Sequence, residues 1–156
     1  AVIVDTRHNG GGWLHDDLAT LLDGQGYIRF EPRGQYIGTE PYNKWTKPSC
    51  VLIGEDNYSD ACGFPYVYKT LGIGKLIGAP VPGTMTAVWW ENQIDPSIVF
   101  GIPQVGALGV KEGRYLENMQ IEPDILVYND PASVLRGEDK QLEAAVKEML
   151  KTIESR

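Results

Sequence analysis

Apolar residues fall along this chain in two distinct patterns. Short unbroken runs at 1–4, 50–53 and 75–77, each bounded by Asp, Gly or Pro, predict strands buried on both faces. Between them the apolar residues recur at helical spacing. In 13–23, Leu14, Leu18, Leu21 and Leu22 stand at i, i+4, i+7 and i+8, one stripe of a helix that Gly24 ends. A second helix is predicted over 60–71, with Gly72 just past its end. Strands buried on both sides and alternating with helices imply an α/β fold with a mainly parallel core sheet and right-handed crossovers.

The rest of the chain is less regular. Segment 33–48 mixes Gly, Pro, Tyr and Trp without a period and is predicted to be a long loop. After an irregular stretch at 78–83, strand character returns at 84–90, 97–101 and 121–127. A last helix over 139–153 repeats Leu142, Val146, Met149, Leu150 and Ile153 along one face, through which it is expected to dock on the body. There is no internal repeat and no low-complexity tract.

Composition narrows the function classes. A chain of 156 residues, 42% hydrophobic, is long enough for one domain with a true core. With 21 acidic against 14 basic residues and a net charge of −7, it has no basic run to attract nucleic acid or an anionic membrane surface. No apolar stretch approaches the roughly 20 residues needed to cross a bilayer, so no membrane insertion is expected. Cys50 and Cys62 lack both zinc-site spacing and disulfide-scaffold density, and both are expected to be buried free thiols. No metal site and no cofactor is implied. The chain opens inside a buried strand, which suggests that a preceding segment exists. That leaves cytoplasm and periplasm equally open, since a leader would lie upstream.

Two segments could carry chemistry. In 5–12, Asp-Thr-Arg-His-Asn-Gly-Gly-Gly follows a buried strand and precedes a helix. Consecutive glycines bring bare backbone amides close to a bound group, and the helix N-terminus adds positive potential, which suits an anion or a developing oxyanion. The stretch lacks the Lys-Ser/Thr of a phosphate loop and the spaced glycines of a dinucleotide site, and alone it reads equally as a tight structural turn. In 55–61, Glu-Asp-Asn-Tyr-Ser-Asp-Ala places Ser59 between a strand and a helix. Hydrolytic α/β enzymes hold a nucleophile there, and an ordinary N-cap serine sits there too.

Together the segments resemble the tail-specific (C-terminal-processing) protease family. The carrying residues are Asp5, Arg7, Asn9, Gly11 and Gly12 at a strand end and Ser59 at a later strand–helix junction. The resemblance implies a crotonase-like α/β core, Ser59 as nucleophile, and an oxyanion hole built from the amide of Gly12, with Gly11 the fallback, and the amide of Asp60. The processing branch of that family takes its base from a lysine in a Gly-Lys-Gly turn. Here the turn is Pro82-Gly83-Thr84-Met85, so Thr84 replaces the lysine. The tricorn branch uses a histidine from an upstream subdomain and a late glutamate. Leu116-Glu117-Asn118 followed by Ile121-Glu122-Pro123-Asp124 is similar to that segment, which implies Glu117 as the orienting carboxylate. Segment 135–142, entering the final helix, is also similar to the tricorn C-terminus.

The chain has two histidines, His8 and His15. Neither stands where the family keeps its base, so the base is expected from an upstream segment. Residues 1–156 then form a single nucleophile-bearing catalytic subdomain of a serine peptidase. It would act by acyl transfer on peptides or unfolded protein, beside an upstream subdomain of the same protein or further copies of itself. Near 28–33, Arg29 competes with Glu31 for the place of a specificity acid, so no preference for basic residues is implied. Tyr36, Tyr42, Trp45, Trp89 and Trp90 fit a peptide groove or ordinary packing. Two rival readings remain: a non-catalytic peptide-binding or assembly module on the same scaffold, and a crotonase-like acyl-thioester enzyme.

Overall fold

The computed structural model describes residues 1–155. Its centre is a four-stranded, wholly parallel sheet in the order β1 (Val2–Asp5), β4 (Ser49–Ile53), β5 (Lys75–Gly78), β10 (Ile125–Leu126). Successive side chains of a strand point to opposite faces, and here both faces are covered. Val51, Ile53 and Leu76 pack with Cys62, Phe64 and Tyr68 of α2 (Asp60–Leu71) and with Leu22 of α1 (His15–Leu22). Cys50, Leu52 and Ile77 pack with Ala145 and Met149 of α4 (Lys140–Glu154) on the other face. Two-sided burial explains why the β4 segment is an unbroken apolar run: Cys50, Val51, Leu52 and Ile53 are all fully buried. Each such aliphatic side chain contributes about 1.5–3 kcal/mol of transfer free energy. Both thiols are buried and free, and burial pushes that of Cys50 up to about 11.

Several expectations are corrected in detail. Segment 33–48 is not all loop: β3 (Gly38–Glu40) pairs antiparallel with β2 (Ile28–Phe30), and Tyr42 stacks on Phe30 across the hairpin. The strands expected at 84–90 and 97–101 lie further along, as β6 (Ala87–Asn92) and β7 (Val99–Val105), and form a separate antiparallel hairpin with a register shift between Ala87 and Val88. Of 121–127, Ile121 bridges Val81 and only β10 joins the core sheet. A short β8 (Leu108–Gly109) and β9 (Arg114–Tyr115) pair antiparallel, and α3 (Pro131–Leu135) precedes α4. No helix among the described residues is long and apolar enough to cross a membrane.

The helix faces also differ from expectation. The final helix docks through Gln141, Ala145 and Met149, while Leu142, Val146, Leu150 and Ile153 remain 41–54% exposed. The short side chain of Ala145 lets the helix backbone approach the sheet, which a stripe of leucines would hold off. In α1, Ala19 and Leu22 are buried whereas Leu14 and Leu21 are exposed. The helix begins at His15 rather than 13 because the Asp60 carboxylate accepts the orphan amides of Leu14 at 2.8 Å and His15 at 3.2 Å.

Arg7 locks the segment after β1 to the start of α4. Its guanidinium reaches Asp5 at 2.7 Å, both carboxylate oxygens of Asp139 at 2.9 and 3.0 Å, and Gln141 at 3.0 Å. Asp139 is itself the N-cap of α4, accepting from the Leu142 amide at 3.0 Å. The Arg7 hydrogen bonds are the largest influence holding the Asp139 and Asp5 carboxyls below the usual carboxylate range. Groups depressed in the folded state contribute stability that is complete above the ordinary carboxylate pKa, about 3.9, and lost as pH falls through the lower folded value. Both carboxylates are partly exposed, which discounts the pair. Arg7→Ala is therefore expected to lower unfolding stability by about 2 kcal/mol at pH 7, with the gap to wild type narrowing below about pH 4. Urea melts at both pH values check this, and an unchanged midpoint at pH 7 would remove the network from the stability account.

Candidate active site

β1 and β4 run side by side, so the loops leaving their C-terminal ends meet above the sheet. Thr6 fixes the first loop to β4, donating both its amide (3.0 Å) and its hydroxyl (2.8 Å) to the Leu52 carbonyl. The Tyr58 amide then donates to the Asn9 carbonyl at 3.1 Å, which joins the glycine segment to the Ser59 turn. The contact is so close at Gly11 that a Cβ there would lie 2.7 Å from the Ser59 Cβ and 2.8 Å from the Tyr58 carbonyl oxygen.

Ser59 stands between β4 and α2 with φ 55° and ψ −121°, a strained backbone for any residue other than glycine. It makes no side-chain capping bond to α2, so the plain N-cap role is not what holds it there. Four hydrogen bonds over-determine the turn. The Ser59 amide donates to the Thr84 hydroxyl at 3.2 Å. The buried Asn57 donates to the Thr6 hydroxyl and to the Ala61 carbonyl, both at 2.9 Å, while its side-chain oxygen accepts the Gly54 amide at 3.2 Å. The Ala61 carbonyl is free for this because Pro65, four residues on, has no N–H to give it.

Ser59 opens into a cleft of about 420 Å³ lined by Gly12, Trp13, His15, Asp60, Met85, Trp90 and neighbouring residues. The two candidate glycines differ. The Gly11 amide is taken up by the Asn9 side chain at 2.8 Å, whereas Gly12 lines the cleft and its amide has no acceptor among the described residues. The Asp60 amide belongs to the first turn of α2, where helix amides lack an intrahelical acceptor. Its carboxylate is engaged by the amides of Leu14 and His15 and by the Nδ1 of the His15 imidazole.

Glu117 comes to the border of this cleft rather than into it. Its carboxylate accepts the Met85 and Thr86 amides at 2.8 Å each, and both of those residues line the cleft. Partial burial works to raise its pKa, but the bonds from Thr86 and Met85 outweigh that and leave it below the ordinary glutamate range. His8 is exposed, bonded through Nδ1 to Asp56, and faces a different cavity shared with Arg7 and Tyr128. His15 lines the Ser59 cleft itself. Arg29 and Glu31 pair with each other at 2.5 Å on the surface, and neither reaches the cleft. Of the aromatics considered from sequence, Trp90 alone is in the cleft wall, while Trp45 is half-buried against the core.

Asn57 has no evident place in the sequence motif, and Thr84 stands out there only as the replacement for a lysine. The signal for Asn57 was a proline inside a predicted helix, which announces a carbonyl in need of a donor. The signals for His15 and Thr84 are long-range pairings that no local pattern shows.

Residues 1–127 match the profile of peptidase family S41. Among curated proteins the chain is 26% identical over 152 residues to the tricorn protease of Thermoplasma acidophilum, covering 97% of this chain and 14% of that protein. It is 27% identical over 154 residues to a tricorn protease homolog of Saccharolobus solfataricus, covering 97% of this chain and 14% of the relative. The chain thus spans about one seventh of these relatives' length. The crystal structure of the tricorn protease superposes with a TM-score of 0.84 at 26% identity, over 97% of this chain and 15% of that one. A photosystem II D1 C-terminal processing protease shares the fold at a TM-score of 0.51 and 17% identity, over 81% of this chain and 34% of that one. The chain belongs to peptidase family S41, on its tricorn-like side.

Proposed function

We propose that this chain is the nucleophile-bearing, crotonase-like subdomain of a serine peptidase that cleaves peptides by acyl transfer. The observation that carries the reading is the backbone of Ser59: a positive φ at a strand–helix turn, with no capping bond, opening onto a cleft that Gly12 and Asp60 also line. Strain of this kind costs on the order of 1–3 kcal/mol, persists only where the surrounding structure over-determines it, and clusters at active sites. In the reaction, Oγ of Ser59 gives its proton to a base and bonds to the substrate carbonyl carbon. The amides of Gly12 and Asp60 donate to the oxyanion that forms. The C–N bond then breaks as the leaving amine takes the proton, and water releases the acyl group by the same steps in reverse.

The base is assigned to a histidine on a segment preceding residue 1, with further copies of the protein or an upstream subdomain completing the site around a peptide or unfolded-protein substrate. Glu117 is assigned an orienting role, holding the Met85–Thr86 wall of the cleft and the base beside it. A second reading has one observation in its favour: His15 lines the cleft and its Nδ1 is bonded to Asp60, the arrangement of a base with its orienting carboxylate.

Covalent labelling tests the proposal. In the longer polypeptide that this reading requires, a small fluorophosphonate should modify Ser59, located by peptide mass spectrometry. Glu117→Gln should slow that modification by about 10- to 100-fold, although a glutamine oxygen can still accept the Met85 and Thr86 amides. Labelling elsewhere, or none, would sink the nucleophile assignment. Unchanged labelling in Glu117→Gln would reduce Glu117 to a clasp for the cleft wall.

A further inference from the structure

The cleft beside Ser59 is walled by apolar side chains that are far more exposed than packing alone requires: Trp13 is 80% exposed, Val105 65% and Trp90 60%. Met85 and Val88 complete that wall. Val88 and Trp90 belong to the β6–β7 hairpin, and the register shift between Ala87 and Val88 falls where the hairpin meets the cleft. Bulges and register shifts re-aim side chains and are common next to active sites. Exposed large apolar groups gathered around a candidate nucleophile, rather than scattered singly, mark a surface that becomes covered when ligand binds.

The charges of the cleft point the same way. Asp60 is its one acidic residue, and that carboxylate is already engaged by the Leu14 and His15 amides and by the His15 ring. Glu117, just outside, is taken up by two backbone amides. Glu31 is paired with Arg29 away from the cleft. A lysine or arginine side chain entering here would lose hydration without gaining a counter-charge. An acidic side chain fares no better, because no lysine or arginine lines the cleft, its one histidine, His15, is already bonded to Asp60, and the chain carries a net charge of −7.

Resting on the proposal that Ser59 is the nucleophile, we infer that the site selects a large apolar or aromatic side chain on the residue whose carbonyl is attacked. Trp13, Met85, Val88, Trp90 and Val105 supply the receiving surface. Hydrophobic pockets discriminate by about 10- to 200-fold per group, so a preference of roughly 10- to 100-fold over charged residues is the expected scale.

Peptidyl diaryl phosphonates carrying Phe, Leu, Lys or Asp next to phosphorus read this directly. Ser59 Oγ forms the P–O bond, a phenol leaves with the proton, and the rate is followed by mass spectrometry in the same longer polypeptide. Phe and Leu probes are expected to react at least 10-fold faster than Lys or Asp probes. Trp90→Ala should bring the Phe-to-Lys ratio toward one, and Trp90→Glu should raise the Lys rate relative to Phe. The ratio within each variant cancels any loss of folded protein. Modification of Ser59 that is faster with Lys or Asp, or equal with all four, overturns the inferred specificity while leaving Ser59 as nucleophile. Failure of the small fluorophosphonate to touch Ser59 removes that assignment and the specificity with it.

Discussion

Peptide hydrolysis by the longer polypeptide should fall by about 10⁴- to 10⁶-fold on Ser59→Ala. The magnitude follows from what remains. With Oγ gone, the Gly12 and Asp60 amides and the cleft can still hold a substrate and favour attack by water, and such sites retain on the order of 10³-fold over uncatalysed hydrolysis. KM should move far less than kcat, since the hydroxyl contributes chiefly in the transition state. On the proposed assignment the chain 1–156 alone should sit near the same floor, because Ser59 and its oxyanion donors without the upstream base would act as a disabled triad. Fluorogenic peptides assayed with both proteins settle the point. A Ser59→Ala enzyme that keeps most of its kcat would falsify the nucleophile. Robust turnover by the isolated chain, abolished by Ser59→Ala, would instead make His15 the base, since it is the histidine that shares the cleft with Ser59.

The legibility of this fold and site in the sequence divides along the range of the interactions involved. Elements set by local pattern were readable: α2 spans Asp60–Leu71 as its spacing and Gly72 require, and β4 is buried on both faces as its unbroken run requires. What failed was the choice of face. In α4 only Met149 of the expected stripe reaches the sheet; Leu142, Val146, Leu150 and Ile153 stay exposed and Ala145 docks beside Met149, because docking distance is set by the partner surface and not by the helix alone. The site divides in the same way. Locally, 5–12 reads equally as a tight turn and Ser59 equally as an N-cap, and it is the family resemblance that singles out Gly12 and Ser59 for the proposed site. Thr84 on the Ser59 amide, Asn57 on Thr6 and His15 on Asp60 join residues 25, 51 and 45 positions apart. Their polar side chains carry no period, so only the folded chain shows them meeting.

The same close approach supplies the sharpest structural test. Gly11→Ala should lower kcat by at least about 100-fold and cost about 2–4 kcal/mol of stability. At φ +99°, Gly11 occupies backbone space that side-chain-bearing residues rarely adopt. An added Cβ would lie 2.7 Å from the Ser59 Cβ, 2.8 Å from the Tyr58 carbonyl oxygen and 3.1 Å from the Asp60 amide nitrogen. None of these can yield by rotating a flexible tip, because two are backbone atoms and the third is fixed to a strained backbone. The glycine segment and the Ser59 turn must therefore part by something near an ångström, which moves the proposed nucleophile and disturbs the Asp60 amide together. Misplacement on that scale is enough for a loss of two orders of magnitude. Gly10→Ala is the control, since its Cβ would meet nothing within 4 Å. Its stability should stay within about 0.5 kcal/mol of wild type. Thermal melts and kcat measured on both variants decide the matter: a Gly11→Ala enzyme with wild-type kcat would mean that the glycine segment and Ser59 do not act as one site.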